Sequence, residues 1–123
     1  MDEAKKERRR FARHYAVVAD YKLINAGEPI KACQVKNISA VGICIIIYES
    51  IESGMRVEIK VYLPGNPFPI IAKGSVVWAK EYKIESESRR RFNVGIEFID
   101  IDKMDQQKIE HYIASNSKHE GVY

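Results

Sequence analysis

Two short polar signatures supply the residue types of a binding site. The first is Arg9-Arg10-Phe11-Ala12-Arg13, an R-x-x-x-R spacing inside a basic run. The second is Asn37-Ile38-Ser39-Ala40-Val41-Gly42, an N-x-S-x-x-G turn. A guanidinium is planar, always charged and forks onto two acceptors, so Arg9 and Arg13 match phosphate oxygens or the O6/N7 edge of guanine, and can stack on a purine face. Asn37 and Ser39 carry short side chains that bond local backbone or reach a ligand. Gly42 either takes a positive φ or lets a ligand approach the backbone. Taken singly, a solvated charge run and an ordinary hairpin turn explain these letters. Taken together, they suit a compact anionic ligand with purine edges.

Other chemistry finds little support. His14, His111 and His119 lie apart, with no carboxylate or thiol at ligand spacing, so metal binding is not expected. Cys33 and Cys44 lack motif spacing and read as reduced, buried thiols of a cytosolic protein. There is no nucleophile elbow, P-loop or zinc-hydrolase motif, hence no expected enzyme activity and no cofactor. The net charge of +3 is weak evidence for nucleic acid. Its distribution is more telling. Lys5, Lys6, Arg8, Arg9, Arg10 and Arg13 crowd the N-terminus, and Arg89, Arg90 and Arg91 form a second cluster that reads as a solvated loop. Such clusters focus potential on a small site rather than a long groove.

The elements that must position these residues are mostly strands. The chain has 123 residues, enough for one domain with its own core. It is 46% hydrophobic and 30% charged, as expected of a folded, soluble domain. No apolar run approaches the roughly 20 residues of a membrane helix, and the charged N-terminus is not a secretory signal. Residues 1–8 read as a mobile basic tail. Period-two alternation begins at Tyr15 and predicts a strand to Leu23. Further strands are expected over Ile30–Val35, Gly42–Tyr48, Met55–Leu63, Ile70–Lys80 and Phe92–Phe98, with the Asn37–Gly42 turn between the second and third. The third is apolar on both faces and must be covered. Gly74 suggests a bend or close approach. Trp78 and Tyr21 read as core or wall. Glu81–Arg90 reads as a polar loop. Asp102 can cap a helix whose apolar stripe is Met104, Ile109, Tyr112 and Ile113, and residues 115–123 read as a tail. Six consecutive strands and then one helix predict a mainly β fold: a six-stranded antiparallel barrel with a C-terminal α-helix, spanning 9–114.

R-x-x-x-R ahead of the first strand, followed by N-x-S-x-x-G between the second and third, resembles the PilZ domain family. Val76-Val77-Trp78 and Val94-Gly95-Ile96-Glu97-Phe98 look like that family's later strands, and the resemblance covers roughly residues 7–114. It implies a split-type barrel that binds the bacterial second messenger cyclic di-GMP without catalysis. By the same resemblance, Arg9, Arg13, Asn37, Ser39 and Gly42 would contact the ligand. Gly95 could leave room beside it or mark a barrel bend. Arg8, just ahead of the first signature arginine, looks like the family variant that holds two mutually intercalated ligand molecules, so two per protomer are expected. A few charge-assisted bonds of ~1.5–3 kcal/mol each, plus stacking, reach micromolar binding, near −8 kcal/mol.

The expected function is therefore a cytoplasmic receptor. Ligand would order the Arg-rich segment against the barrel and change a surface read by another protein. The family suggests motility, pili, exopolysaccharide or virulence as outputs. Two alternatives remain open at this stage: a degenerate adaptor that has lost the nucleotide, and a small barrel that binds single-stranded nucleic acid. The second would need an extended basic groove with exposed aromatics.

Overall fold

A computed structural model describes residues 17–24, 27, 29–83 and 88–117. Six strands follow one another: β1 (Val18–Leu23), β2 (Lys31–Ile38), β3 (Gly42–Ile47), β4 (Arg56–Tyr62), β5 (Ile70–Tyr82) and β6 (Arg91–Asp100). A single helix, α1 (Lys103–Ser117), completes the described chain. Every pairing is antiparallel, and the order β1-β2-β3-β6-β5-β4 closes on itself through β1 and β4. Closure leaves no unpaired strand edge. The expected barrel with a C-terminal helix is the observed fold.

Alternation builds the interior. Ala19, Tyr21, Val35, Ile43, Ile45, Ile47, Val57, Ile59, Val61, Ile70, Ala72, Val76, Val94 and Ile96 are buried and form one cluster. Tyr21 belongs to this core, and its hydroxyl donates to Glu49. β3 is buried on both faces, as its unbroken apolar run requires.

Asp102 caps α1, its Oδ1 accepting from Met104 N at 2.8 Å. The helix packs on the barrel through fully buried Ile109, with Tyr112 and Ile113 half-buried. Met104 departs from the expected stripe and is 68% exposed. Helical backbone continues through Ser117, so Ser115 and Asn116 are not tail. Gln106 Nε2 donates to Ala40 O at 2.9 Å, tying the helix to the β2–β3 turn.

Three register shifts break the alternation. At the first, Val35 pairs with Ile45 but Asn37 pairs with Cys44, so Lys36 and Asn37 both stand opposite one residue. At the second, Val76 pairs with Ile96 but Trp78 with Gly95, making Val77 the extra residue. At the third, Lys73 pairs with Asp100 and Gly74 with Phe98, leaving Ile99 extra. Each is a β-bulge, which slips the in–out phase by one and bends its strand. Gly74 sits at the third, where a side chain would overlap Ile96 Cγ2 and lie 2.8 Å from Glu97 O, the close approach expected there.

Candidate ligand groove on the barrel wall

The first two bulges place one row of residues on the outside of the wall. Directly opposed residues in an antiparallel pair point the same way. Asn37 opposes Cys44, Cys44 opposes Gly95, and Gly95 opposes Trp78. Strict alternation from Val35 and Val76 would have sent Asn37 and Trp78 inward. The extra residues Lys36 and Val77 turn both outward instead. Asn37 is exposed and Trp78 is 46% exposed, so Trp78 is not core. Of the two places expected for it, core or wall, Trp78 takes the wall.

Trp78 lies across Gly95. A side chain at position 95 would overlap the indole Nε1 and Cε2 and sit 2.8 Å from Cδ1. The room left by the missing side chain is therefore filled by the indole, one side of which rests on β6. Of the two reasons expected for Gly42, the positive φ is not observed; a Cβ there would collide with the backbone O of Ile96. Only glycine permits β3 and β6 to approach so closely at that point.

The second signature is split between strand and turn. Asn37 belongs to β2 rather than to the turn, because the bulge at Lys36 lets the ladder run on to Ile38. The turn itself is Ser39–Gly42. Ser39 N donates to Gly42 O at 2.8 Å, and Val41 N donates to Ser39 Oγ at 3.2 Å. Ser39 Oγ lies 3.4 Å from Gly42 O. Val41 O accepts from Phe98 N at 2.9 Å, which fixes the turn against β6. The Asn37 amide makes no side-chain hydrogen bond among the described residues, and its donors and acceptor are free for a ligand.

Asn37, Ser39, Val41, Trp78, Gly95 and Glu97 line one shallow groove of about 290 Å³. Exposed Val41 and Val77 give it an apolar rim. Cys44 forms part of its floor, and burial pushes this thiol up from its ordinary range. Nearby Lys36 pulls it back only in part. The groove thus offers a flat aromatic face, a free amide, a hydroxyl and a tightly held polar turn. Such a surface can stack one planar base and bond its edge.

Arg8, Arg9 and Arg13 lie outside the described residues. Their entry point into the barrel is described. β1 begins at Val18, opposite Gln34, and β2 runs from Gln34 to Asn37 away from the rest of β1. The chain ahead of β1 therefore enters at the end of the barrel that carries the Asn37–Gly42 turn. In the second arginine cluster, Arg89 lies over the Tyr48 ring at 4.0 Å and Arg90 Nε pairs with Glu81 at 2.8 Å. Arg91 opens β6 and Glu81 and Tyr82 end β5, so the expected loop is shorter than its polarity implied.

Trp78, like Val41 and Glu97, is a groove residue that pattern reading missed. Its signal was present in a tryptophan placed opposite a glycine, but only the bulge reveals that the pair faces out.

Among the described residues no group of His, Cys, Asp and Glu is placed to hold a metal, and no helix is long and apolar enough to cross a membrane.

A family model described as the PilZ domain matches residues 7–115. Among solved structures, the chain is similar to MrkH of K. pneumonia in its apo state, with a TM-score of 0.72 and 16% identity over 89% of this chain and 49% of that one. It is similar to the Bacillus subtilis inhibitor of motility MotI/DgrA, with a TM-score of 0.63 and 20% identity over 82% of this chain and 46% of that one. It is also similar to the PilZ domain of YcgR from Escherichia coli, solved with c-di-GMP, with a TM-score of 0.63 and 13% identity over 84% and 83% of the two chains. The chain spans about half the length of the first two. No curated protein matches it by sequence.

Proposed function

Because the chain belongs to the PilZ domain family, we propose that it is a non-enzymatic receptor for cyclic di-GMP that passes its signal to another protein. The observation that carries this reading is the outward row Asn37–Cys44–Gly95–Trp78 beside the Ser39–Gly42 turn. One guanine stacks on the exposed face of Trp78, and Asn37 and Ser39 bond its edge or the adjoining phosphate.

The groove is too small and too open for a whole cyclic dinucleotide. The R-x-x-x-R segment, tethered to the same end of the barrel, supplies the remaining contacts. Arg9 and Arg13 neutralise the two phosphates and engage the guanines, and Arg8 meets the added charge of a second, intercalated ligand. Ordering of this segment on binding changes the surface next to the turn, which is the switch a downstream protein reads. The MotI/DgrA neighbour is an inhibitor of motility, and control of motility is one output that suits this receptor.

Calorimetric titration of the full chain with cyclic di-GMP, cyclic di-AMP and a short oligonucleotide at two salt concentrations tests the reading. Micromolar or tighter binding is expected for cyclic di-GMP alone, at two ligands per protomer. Arg9→Ala should weaken it at least tenfold. Oligonucleotide binding with a steep salt dependence, or no response to cyclic di-GMP, would overturn the receptor assignment; a clear 1:1 stoichiometry would overturn the role given to Arg8.

A further inference from the structure

Among the residues that line the groove, Glu97 alone carries a charge, and it is negative. It projects from β6 on the same outward face as Gly95, flanked by Gly42 on β3 and Ser75 on β5. The residue is exposed, and among the described residues its carboxylate has neither an ion pair nor a hydrogen bond. A bare carboxylate in a site for a doubly anionic ligand is repulsive unless it meets hydrogen-bond donors.

We infer that Glu97 is the residue that selects guanine, accepting the N1–H and N2–H donors of a base stacked on Trp78. This rests on the receptor reading above and deepens it. Three observations converge on the assignment. Ionised carboxylate accepts only, through two parallel oxygens, so it pairs with an edge that presents two adjacent donors. The Watson–Crick edge of guanine presents such a pair. Adenine instead sets an acceptor, N1, beside its N6 amine, which leaves one carboxylate oxygen facing a lone pair. Positions 95 and 97 lie about 7 Å apart along the strand, so a purine seated over Gly95 and Trp78 brings its far edge to the carboxylate. Finally, repulsion fixes polarity. The phosphates must lie away from Glu97, on the side of the groove nearest the entry of the arginine segment.

Glu97→Gln tests this with a change of sign. The amide offers one donor and one acceptor, which suits adenine and spoils the match to guanine. Cyclic di-GMP affinity should fall at least tenfold while cyclic di-AMP affinity holds or rises, both measured by calorimetry at one ionic strength. Circular dichroism and Tm should match wild type, because Glu97 is exposed. If Glu97 were only a nearby negative charge, the variant would bind both nucleotides more tightly, and that result overturns the inference. An equal loss for both nucleotides also overturns it, because Glu97 would then act through the arginine segment. So does unchanged binding. A wild type that fails to bind cyclic di-GMP sinks the receptor reading itself, whereas normal wild-type binding with an indifferent variant sinks the role of Glu97 alone.

Discussion

The indole of Trp78 occupies the space that a side chain on Gly95 would fill. The two residues are paired across β5 and β6, and the extra residue Val77 turns the pair to the outside of the barrel. Glycine is required here not for backbone freedom but for vacancy. The result is an aromatic plate held flat on a rigid sheet, with little conformational entropy left to lose when a base stacks on it.

Gly95→Ala should lift this plate. The new methyl overlaps the indole rather than backbone, so the ring swings outward and the barrel survives. A red-shifted tryptophan emission, readable because Trp78 is the sole tryptophan, is expected together with at least a tenfold loss of cyclic di-GMP affinity. Trp78→Ala should cost about as much, since base–aromatic stacking contributes ~1–3 kcal/mol. The double variant should be no worse than either single one, because both remove the same platform. Additive losses would show that Gly95 acts on the ligand independently of the indole.

Asn37 and Ser39 should separate binding from stability. The Asn37 side chain bonds nothing among the described residues, whereas Ser39 Oγ accepts from Val41 N. Asn37→Ala should therefore weaken cyclic di-GMP at least tenfold with Tm unchanged. Ser39→Ala should weaken it similarly and also lower stability by about 0.5–1.5 kcal/mol, the net contribution of one hydrogen bond. Thermal melts of the two ligand-free variants, run beside the titrations, check the split.

The barrel was readable because its strands alternate cleanly between turn residues. Met55–Leu63 predicted β4 to within one residue at each end, since Val57, Ile59 and Val61 all point inward. The wall was less readable where one added residue slips the phase. Nothing in the letters marks Lys36 or Val77 as extra, so pattern alone places Asn37 in a turn and leaves Trp78 between core and wall. The helix stripe held except at its start, for another reason. Ile109 is fully buried and Tyr112 and Ile113 pack half-buried against the core, whereas Met104 remains exposed at the first turn. Periodicity reports which face could be buried, while the tilt of a short helix on a curved barrel decides how much of it is.

Asn93 carries a prediction about stability. It is 5% exposed, lies on β6 between Ile46 and Lys80, and its Oδ1 has no hydrogen-bond partner among the described residues. An unpaired buried acceptor costs about 1–3 kcal/mol. Asn93→Leu keeps the branched heavy-atom skeleton and removes the polar atoms, so it should raise the Tm of the ligand-free protein by several degrees. A lower Tm would show that the amide is hydrogen-bonded in the folded protein.

Cys33 predicts how stability falls in alkali. Its thiol is pushed up from 9.0 to about 12, first by burial and then by the Asp20 carboxylate. Its Sγ also lies 3.5 Å from Ala19 O, a contact suited to the protonated thiol as donor. In the unfolded chain the thiol ionises near its ordinary value. Between about pH 9 and 12 the unfolded state therefore binds fewer protons than the folded one, and stability decreases as pH rises. The contribution is complete below pH 9 and is lost progressively above it. Cys33→Ala removes this source of alkaline sensitivity. Denaturant midpoints measured from pH 8 to pH 10.5 should decline more steeply for wild type than for Cys33→Ala, and Cys33 should resist alkylation in the folded protein at pH 8. Parallel declines for the two proteins would place the alkaline weakness elsewhere in the barrel.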